Sequence, residues 1–291
     1  MLQKNTKEIS SGYFGKLPEF NDFVKFNSGL PEILFIDKWI QEGIANARLK
    51  LKSDWKQKYE ILPPTNFYIP FSSSERAAAG IIFPSSDKSG REFPIVIFSV
   101  IPLKNFERTS LIPAKLTEVL SGLEYHLRKE EDLLSLNTIL KNYDAPIPDE
   151  TTSGKNFQNY LSITTLDQLI KRTNINFSIA DFKTLSYTDS TFIRIQLCSD
   201  EYRFTFDAGF FIEILNKKIN ISSRQTSVFW NNSDEGRFRV VIFPFKLNST
   251  SFVDLMSDDN EDKRVIYLGS SIAGTPDEYS GVPLDKLLKI I

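Results

Sequence analysis

The chain has 291 residues, 41% hydrophobic and 25% charged, a balance that can fill a core and excludes a disordered chain; its length suggests two domains. The net charge is −2, and the halves on either side of residue 150 carry 19 Lys+Arg against 20 Asp+Glu and 16 against 17, so neither has the cationic excess on which nucleic-acid binding draws. The single cysteine, Cys198, excludes an internal disulfide and a multi-thiolate zinc site, and is expected as a small buried apolar residue.

Residues 12–30 read as an extended, turn-rich segment punctuated by Gly12, Gly15, Pro18, Asn21-Asp22 and Ser28-Gly29. A helix follows Pro31, because Ile33, Ile36, Ile40, Ile44, Ala47 and Leu51 recur at the helical period. A short helical piece over 54–60 ends before Pro63-Pro64. The period then changes to short β-branched and aromatic runs, and Asn66–Pro70, Ala78–Phe83 and Phe93–Val100 are expected as strands. A long helical region over 113–142 carries Leu116, Leu120, Leu123, Leu127 and Leu134 as its buried stripe.

The polar, proline-containing stretch 144–155 is the expected linker between a domain over 1–143 and a second over 156–291. In the second part, 166–171 and 250–256 are expected as helices. Thr191–Leu197, Arg203–Phe206, Ser227–Trp230, Phe238–Pro244 and Arg264–Leu268 are expected as strands, and the acidic run 258–262 as a solvated turn. The fold class is therefore mixed α/β (α+β): two domains, each a β-sheet packed against helices. The polar Met1–Ser11 shows no apolar signal segment. The longest apolar run, Phe93–Leu103, is too short to span a bilayer and contains Pro94 and Pro102. A cytoplasmic protein without membrane insertion is expected.

Chemistry-bearing patterns are sparse. The only histidine, His126, has no nucleophile or metal-ligand spacing around it, and reads as a surface or interface residue. Gly12-Tyr-Phe-Gly15-Lys16 fails as a phosphate loop: two residues separate the glycines and Leu17 follows the lysine. No catalytic residue, cofactor, metal or small-molecule substrate is expected. Asp22 and Asp87 read first as turn organisers.

Two segments are more telling: Gly12-Tyr13-Phe14-Gly15-Lys16-Leu17-Pro18 with Asn21-Asp22-Phe23-Val24, and Gly80 to Phe83 running into Pro84-Ser85-Ser86-Asp87-Lys88-Ser89-Gly90-Arg91-Glu92-Phe93-Pro94. With Asp37 and Trp39, then Trp55 and Tyr59 between them, these blocks resemble the N-terminal domain of the TagF/ImpM family in order from residue 12 to residue 94. Asn21 stands where that family usually has glycine, and Phe67 where an indole is common. The second half is similar more loosely, through Ser227-Val-Phe-Trp230 and the passage from Phe243 to Met256.

The resemblance implies an α/β N-terminal domain and a negative regulator of type VI secretion in Gram-negative bacteria. It would act after translation by binding the forkhead-associated scaffold protein of that system. The rival reading is a small hydrolase or phosphatase-like enzyme using Asp22, Asp87 and Arg91. Two roles remain open for the marked residues. They are architectural, with Arg91 pairing a carboxylate such as Asp22. Alternatively Tyr13, Phe14, Lys16, Pro18, Asp22, Phe23, Asp87 and Arg91 form one partner-binding face, since interfaces favour aromatic and arginine anchors.

Overall fold

The computed structural model describes residues 9–129, 132–175, 191–219, 221–233, 237–257, 262–268, 279 and 281–290. The fold is mixed α/β, as expected, and the chain divides into two compact units. The division does not follow one linker. Unit one comprises Met1–Asn105, Thr117–Ile147 and Asn248–Met256; unit two comprises Phe106–Leu116, Pro148–Leu247 and Ser257–Ile291. One crossing, at 147–148, falls within the expected linker. That stretch is not wholly loop, because its second half opens a helix.

Unit one opens with β1 (Ser10–Gly15) and β2 (Val24–Phe26), so the segment expected to be merely extended pairs with itself, Tyr13 opposite Phe26 and Gly15 opposite Val24. Helix α1 (Pro31–Leu51) begins at its proline and buries Ile33, Ile36, Ile40, Ile44 and Ala47, the stripe read from the sequence. Helix α2 (Trp55–Glu60) precedes β3 (Thr65–Phe71), β4 (Arg76–Phe83) and β5 (Ile95–Pro102). The antiparallel order is β2-β1-β5-β4-β3. β4 and β5 are buried along nearly their whole length, which requires cover on both faces of the sheet.

The expected long helix is two, α3 (Ile112–Lys129) and α4 (Leu133–Asn142), because Asp132 caps a new start by accepting from the Leu134 and Ser135 amides at 2.8 and 2.9 Å. That restart turns Leu134 outward, and it is exposed rather than part of the buried stripe. A late segment completes the unit: Trp39 on α1 donates its indole N–H to the Asn248 carbonyl at 2.8 Å and meets the Phe252 ring edge-on at 5.5 Å. Gly43, one turn along α1, lies so close to Phe252 that a Cβ there would collide with the ring.

Unit two has the order β7-β8-β6-β9, from β6 (Phe192–Cys198), β7 (Ser227–Ser233), β8 (Arg237–Phe243) and β9 (Val265–Leu268). Only β6–β9 is parallel. Its helices are α5 (Glu150–Ile163), α6 (Leu166–Thr173), α7 (Glu201–Ile219) and α9 (Leu284–Ile290), while α8 (Ser249–Met256) belongs to unit one. The expected strand Arg203–Phe206 is the first part of α7. Phe204, Ala208, Phe211 and Leu215 recur at spacings of 4, 3 and 4 and are all buried, so the helical period overrides the short aromatic run. Helix α5 lies where a linker was expected because Asp149 caps it, accepting from the Thr152 amide at 2.8 Å. Most of the expected acidic turn, 258–261, lies outside the described residues; Asp262 pairs with Arg264 at 2.6 Å.

Candidate functional site

The two marked segments meet in unit one. Gly15 has φ 138°, a conformation open to glycine, and a Cβ there would sit on the Pro94 carbonyl oxygen. Beyond it, Ser85 donates its hydroxyl to the Lys16 carbonyl at 2.7 Å, and the Lys88 amide donates to the Phe20 carbonyl at 2.9 Å. Tyr59 of α2 braces the same corner. Its hydroxyl donates to the Ser85 carbonyl and accepts from the Ser85 amide, each at 3.1 Å, and burial pushes its pKa up. Arg48 pairs with Glu92 at 3.0 Å and lies over the Trp55 ring, which stacks on Tyr59.

Asp87 is the hub of this corner. Its side chain is wholly buried. One oxygen, Oδ1, accepts from the Ser89 amide (3.0 Å), the Ser89 hydroxyl (2.7 Å) and the Arg91 amide (3.0 Å). The other accepts from Arg91 Nε at 2.7 Å and faces Lys16 Nζ at 2.9 Å. Gly90, at φ 79°, closes the turn by donating to the Asp87 carbonyl at 2.8 Å. Burial alone would raise the pKa of Asp87. The hydrogen bonds from Lys16, Ser89 and Arg91 outweigh it and hold the carboxyl well below the usual carboxylate range.

The expected Asp22–Arg91 pair does not form. Arg91 is held by Asp87 four residues earlier, and its remaining reach goes to the Asn21 carbonyl at 2.8 Å. Asp22 is exposed and pairs with no cation among the described residues. Asn21, which stands where the family usually has glycine, is not left-handed; the non-glycine residue of the 12–30 stretch that is left-handed is Asn27, at φ 55°.

The expected single face is also divided. Tyr13 and Phe14 are only 2% and 4% exposed and cannot touch a partner. As neighbours in β1 they point to opposite sides of a sheet that is covered on both. Tyr13 donates to Asn137 of α4 at 2.8 Å, and Phe14 lies against Phe98. Lys16 and Asp87 are buried with them. Pro18, Asp22, Phe23 and Arg91 are exposed, and the sequence reading missed Phe20 beside them. Phe20 and Phe23 are 39% and 49% exposed, with Lys16 Nζ 5.3 Å from the Phe23 ring centre and Phe93 edge-on to it at 4.8 Å. The signal available for Phe20 was its place two aromatics apart in a loop too polar to form a core.

His126, expected at a surface or an interface, is half-buried between Tyr125 and Tyr143, and its Nδ1 has no hydrogen-bond partner among the described residues. Cys198 is half-buried, less covered than expected, because β6 ends there. Among the described residues no group of three or more His, Cys, Asp or Glu could hold a metal ion, and no helix is long and apolar enough to cross a membrane.

An antiparallel sheet with helices on it, stitched between two glycine-punctuated segments by the buried Asp87 and Lys16 and the exposed Arg91, defines a domain with an exposed aromatic loop. Residues 12–142 match the family model described as the TagF N-terminal domain, type VI secretion system-associated. Those residues form a TagF N-terminal domain, a domain that is type VI secretion system-associated. The fold of the chain is similar to the crystal structure of PA0076 from Pseudomonas aeruginosa PAO1, at a TM-score of 0.52 and 19% identity over 92% of this chain and 100% of that one. No match to a curated protein sequence was found.

Proposed function

We propose that the protein is a non-enzymatic, cytoplasmic negative regulator of type VI secretion, acting after translation by binding the forkhead-associated scaffold protein of that system. The observation that supports binding is the loop bearing Phe20 and Phe23: two large apolar rings held in solvent by hydrogen bonds from Lys88 and Arg91 to the loop backbone. Rigid aromatic anchors bordered by an arginine are what protein interfaces use. The exposed remainder of the expected face, Pro18, Asp22 and the Arg91 guanidinium, borders them. A hydrolase built on Asp87 is disfavoured, since both its oxygens are occupied and its side chain is closed to solvent.

The test is co-purification of the tagged protein with the forkhead-associated protein of its own secretion system, with secretion followed after deletion. The proposal expects a complex and increased secretion on deletion. A folded protein that forms no complex but hydrolyses phosphoesters, with activity lost in Asp87→Ala, would replace it with the enzyme reading.

A further inference from the structure

Unit two contains a cleft of about 920 Å³ where α5, α6 and the start of α7 converge. Helix α5 supplies one side of it. The helix buries Ser153, Phe157, Tyr160 and Leu161, and beside that core face it turns Asn156, Asn159 and the 69% exposed Ile163 toward the cleft. Among the described residues, Lys171 and Arg172 from α6 and Arg203 from α7 line the space and no carboxylate does. Clefts of this size hold small ligands.

The cleft has a rigid polar floor. Arg172 forks onto the fully buried Asp207, Nη2 to Oδ1 at 2.5 Å and Nε to Oδ2 at 3.1 Å. The same carboxylate accepts from the Tyr160 hydroxyl at 2.5 Å and the Ser199 hydroxyl at 2.8 Å. A buried ion pair is weak evidence for stability by itself, and replacing one with apolar residues is often neutral. What it does secure is orientation: with Nε and Nη2 on the carboxylate, and Nη2 also donating to the Tyr160 hydroxyl at 3.3 Å, the guanidinium presents Nη1 in a fixed direction, which suits an anion. Beside it the half-buried Phe206 ring, backed by the buried Tyr160 ring on which it stacks at 5.4 Å and 24°, supplies an apolar wall. Lys171 is exposed and makes no ion pair among the described residues; Arg203 has only a long, exposed contact to Asp200 at 3.7 Å and can swing.

We propose that this cleft is a binding site for a phosphate-bearing ligand with a planar ring, of the mononucleotide class: phosphate on Arg172, Lys171 and Arg203, ring against Phe206, and ring or sugar polar groups on the Asn156 and Asn159 amides. Aromatic walls hold bases by stacking and arginine forks hold phosphate, and here both line one cleft. The site is independent of the Phe20–Phe23 loop.

The test is calorimetric titration of the full chain with ADP, inorganic pyrophosphate and adenosine. ADP is expected to bind at least tenfold more tightly than either part alone. The double variant Lys171→Glu/Arg203→Glu, at exposed positions away from the buried Asp207, is expected to lose at least tenfold in ADP affinity with an unchanged melting temperature. Phe206→Leu, which keeps an apolar side chain, is expected to weaken ADP at least fivefold and leave pyrophosphate unaffected. Absence of ADP binding at millimolar concentration would overturn the proposal. So would binding that survives the double variant, pyrophosphate binding as tightly as ADP, or a preference for an acidic phosphopeptide over ADP.

Discussion

Arg91 binds Asp87 through Nε at 2.7 Å and, with the same guanidinium, holds the carbonyl of Asn21, the residue before Asp22. The contact that joins the two marked segments is thus arginine to main chain, and the carboxylate that orients the arginine comes from its own turn. Asp87→Ala and Arg91→Ala should therefore differ. The Arg91 side chain is 63% exposed, and its loss should cost about 1 kcal/mol or less. Asp87→Ala removes the acceptor of four donors and leaves the Lys16 ammonium, only 9% exposed, without its counterion, so it should lower the melting temperature much further. Thermal unfolding of both variants decides it, and equal effects would deny Asp87 its place as hub.

Asp87 also predicts an acid response. Its folded-state pKa is depressed, so its contribution to stability is fully present above the unfolded value of about 3.9 and is lost as pH falls from there toward the folded value. Urea unfolding of Asp87→Asn between about pH 5 and pH 2 should show a shallower loss of stability than the unsubstituted chain. Parallel curves would mean that Asp87 is not depressed.

Two glycines separate space from conformation. Gly90 has φ 79° and open room around it, so Gly90→Ala should cost about 1 kcal/mol, the strain of a left-handed non-glycine residue. Gly15→Ala adds a collision with the Pro94 carbonyl to similar strain, and should exceed about 3 kcal/mol. Chemical denaturation of both gives the order, and a milder Gly15→Ala would contradict the close approach of β1 to the 84–94 segment.

The aromatic loop is testable without disturbing the hub. Phe20→Ala with Phe23→Ala should change stability by only about 1–2 kcal/mol, since both rings are substantially exposed. It should weaken capture of the secretion-system partner by about 2 kcal/mol or more, a thirtyfold effect, if the pair is a hot spot. Unaltered affinity in a folded double variant would move the interface elsewhere.

The sequence announced most elements of unit one because their marks are local. Pro31 opens α1, isoleucines repeat at the helical period, and alanine, isoleucine and phenylalanine runs between turns make β4 and β5. It misassigned Tyr13 and Phe14 because alternation in a strand says which residues share a side, not whether each side is covered. It joined Arg91 to Asp22 because ion-pair choice depends on turn geometry, and the Asp87–Arg91 turn supplies a nearer carboxylate. In unit two, aromatic residues crowd every period, so Arg203–Phe206 imitates a strand. The polar opening of α5 imitates a linker until its Asp149 cap is seen.

Trp39 and Gly43 receive a partner, Phe252, that the chain supplies more than 200 residues later. Synthesis runs from the N-terminus, so when the β-strands of unit one leave the ribosome, the groove on α1 has nothing to fill it. It stays open until Phe252 has been made. Unit one cannot close before its late segment arrives, and a nascent chain stalled before Ser249 would present a bare indole and its apolar surroundings to chaperones rather than a closed domain.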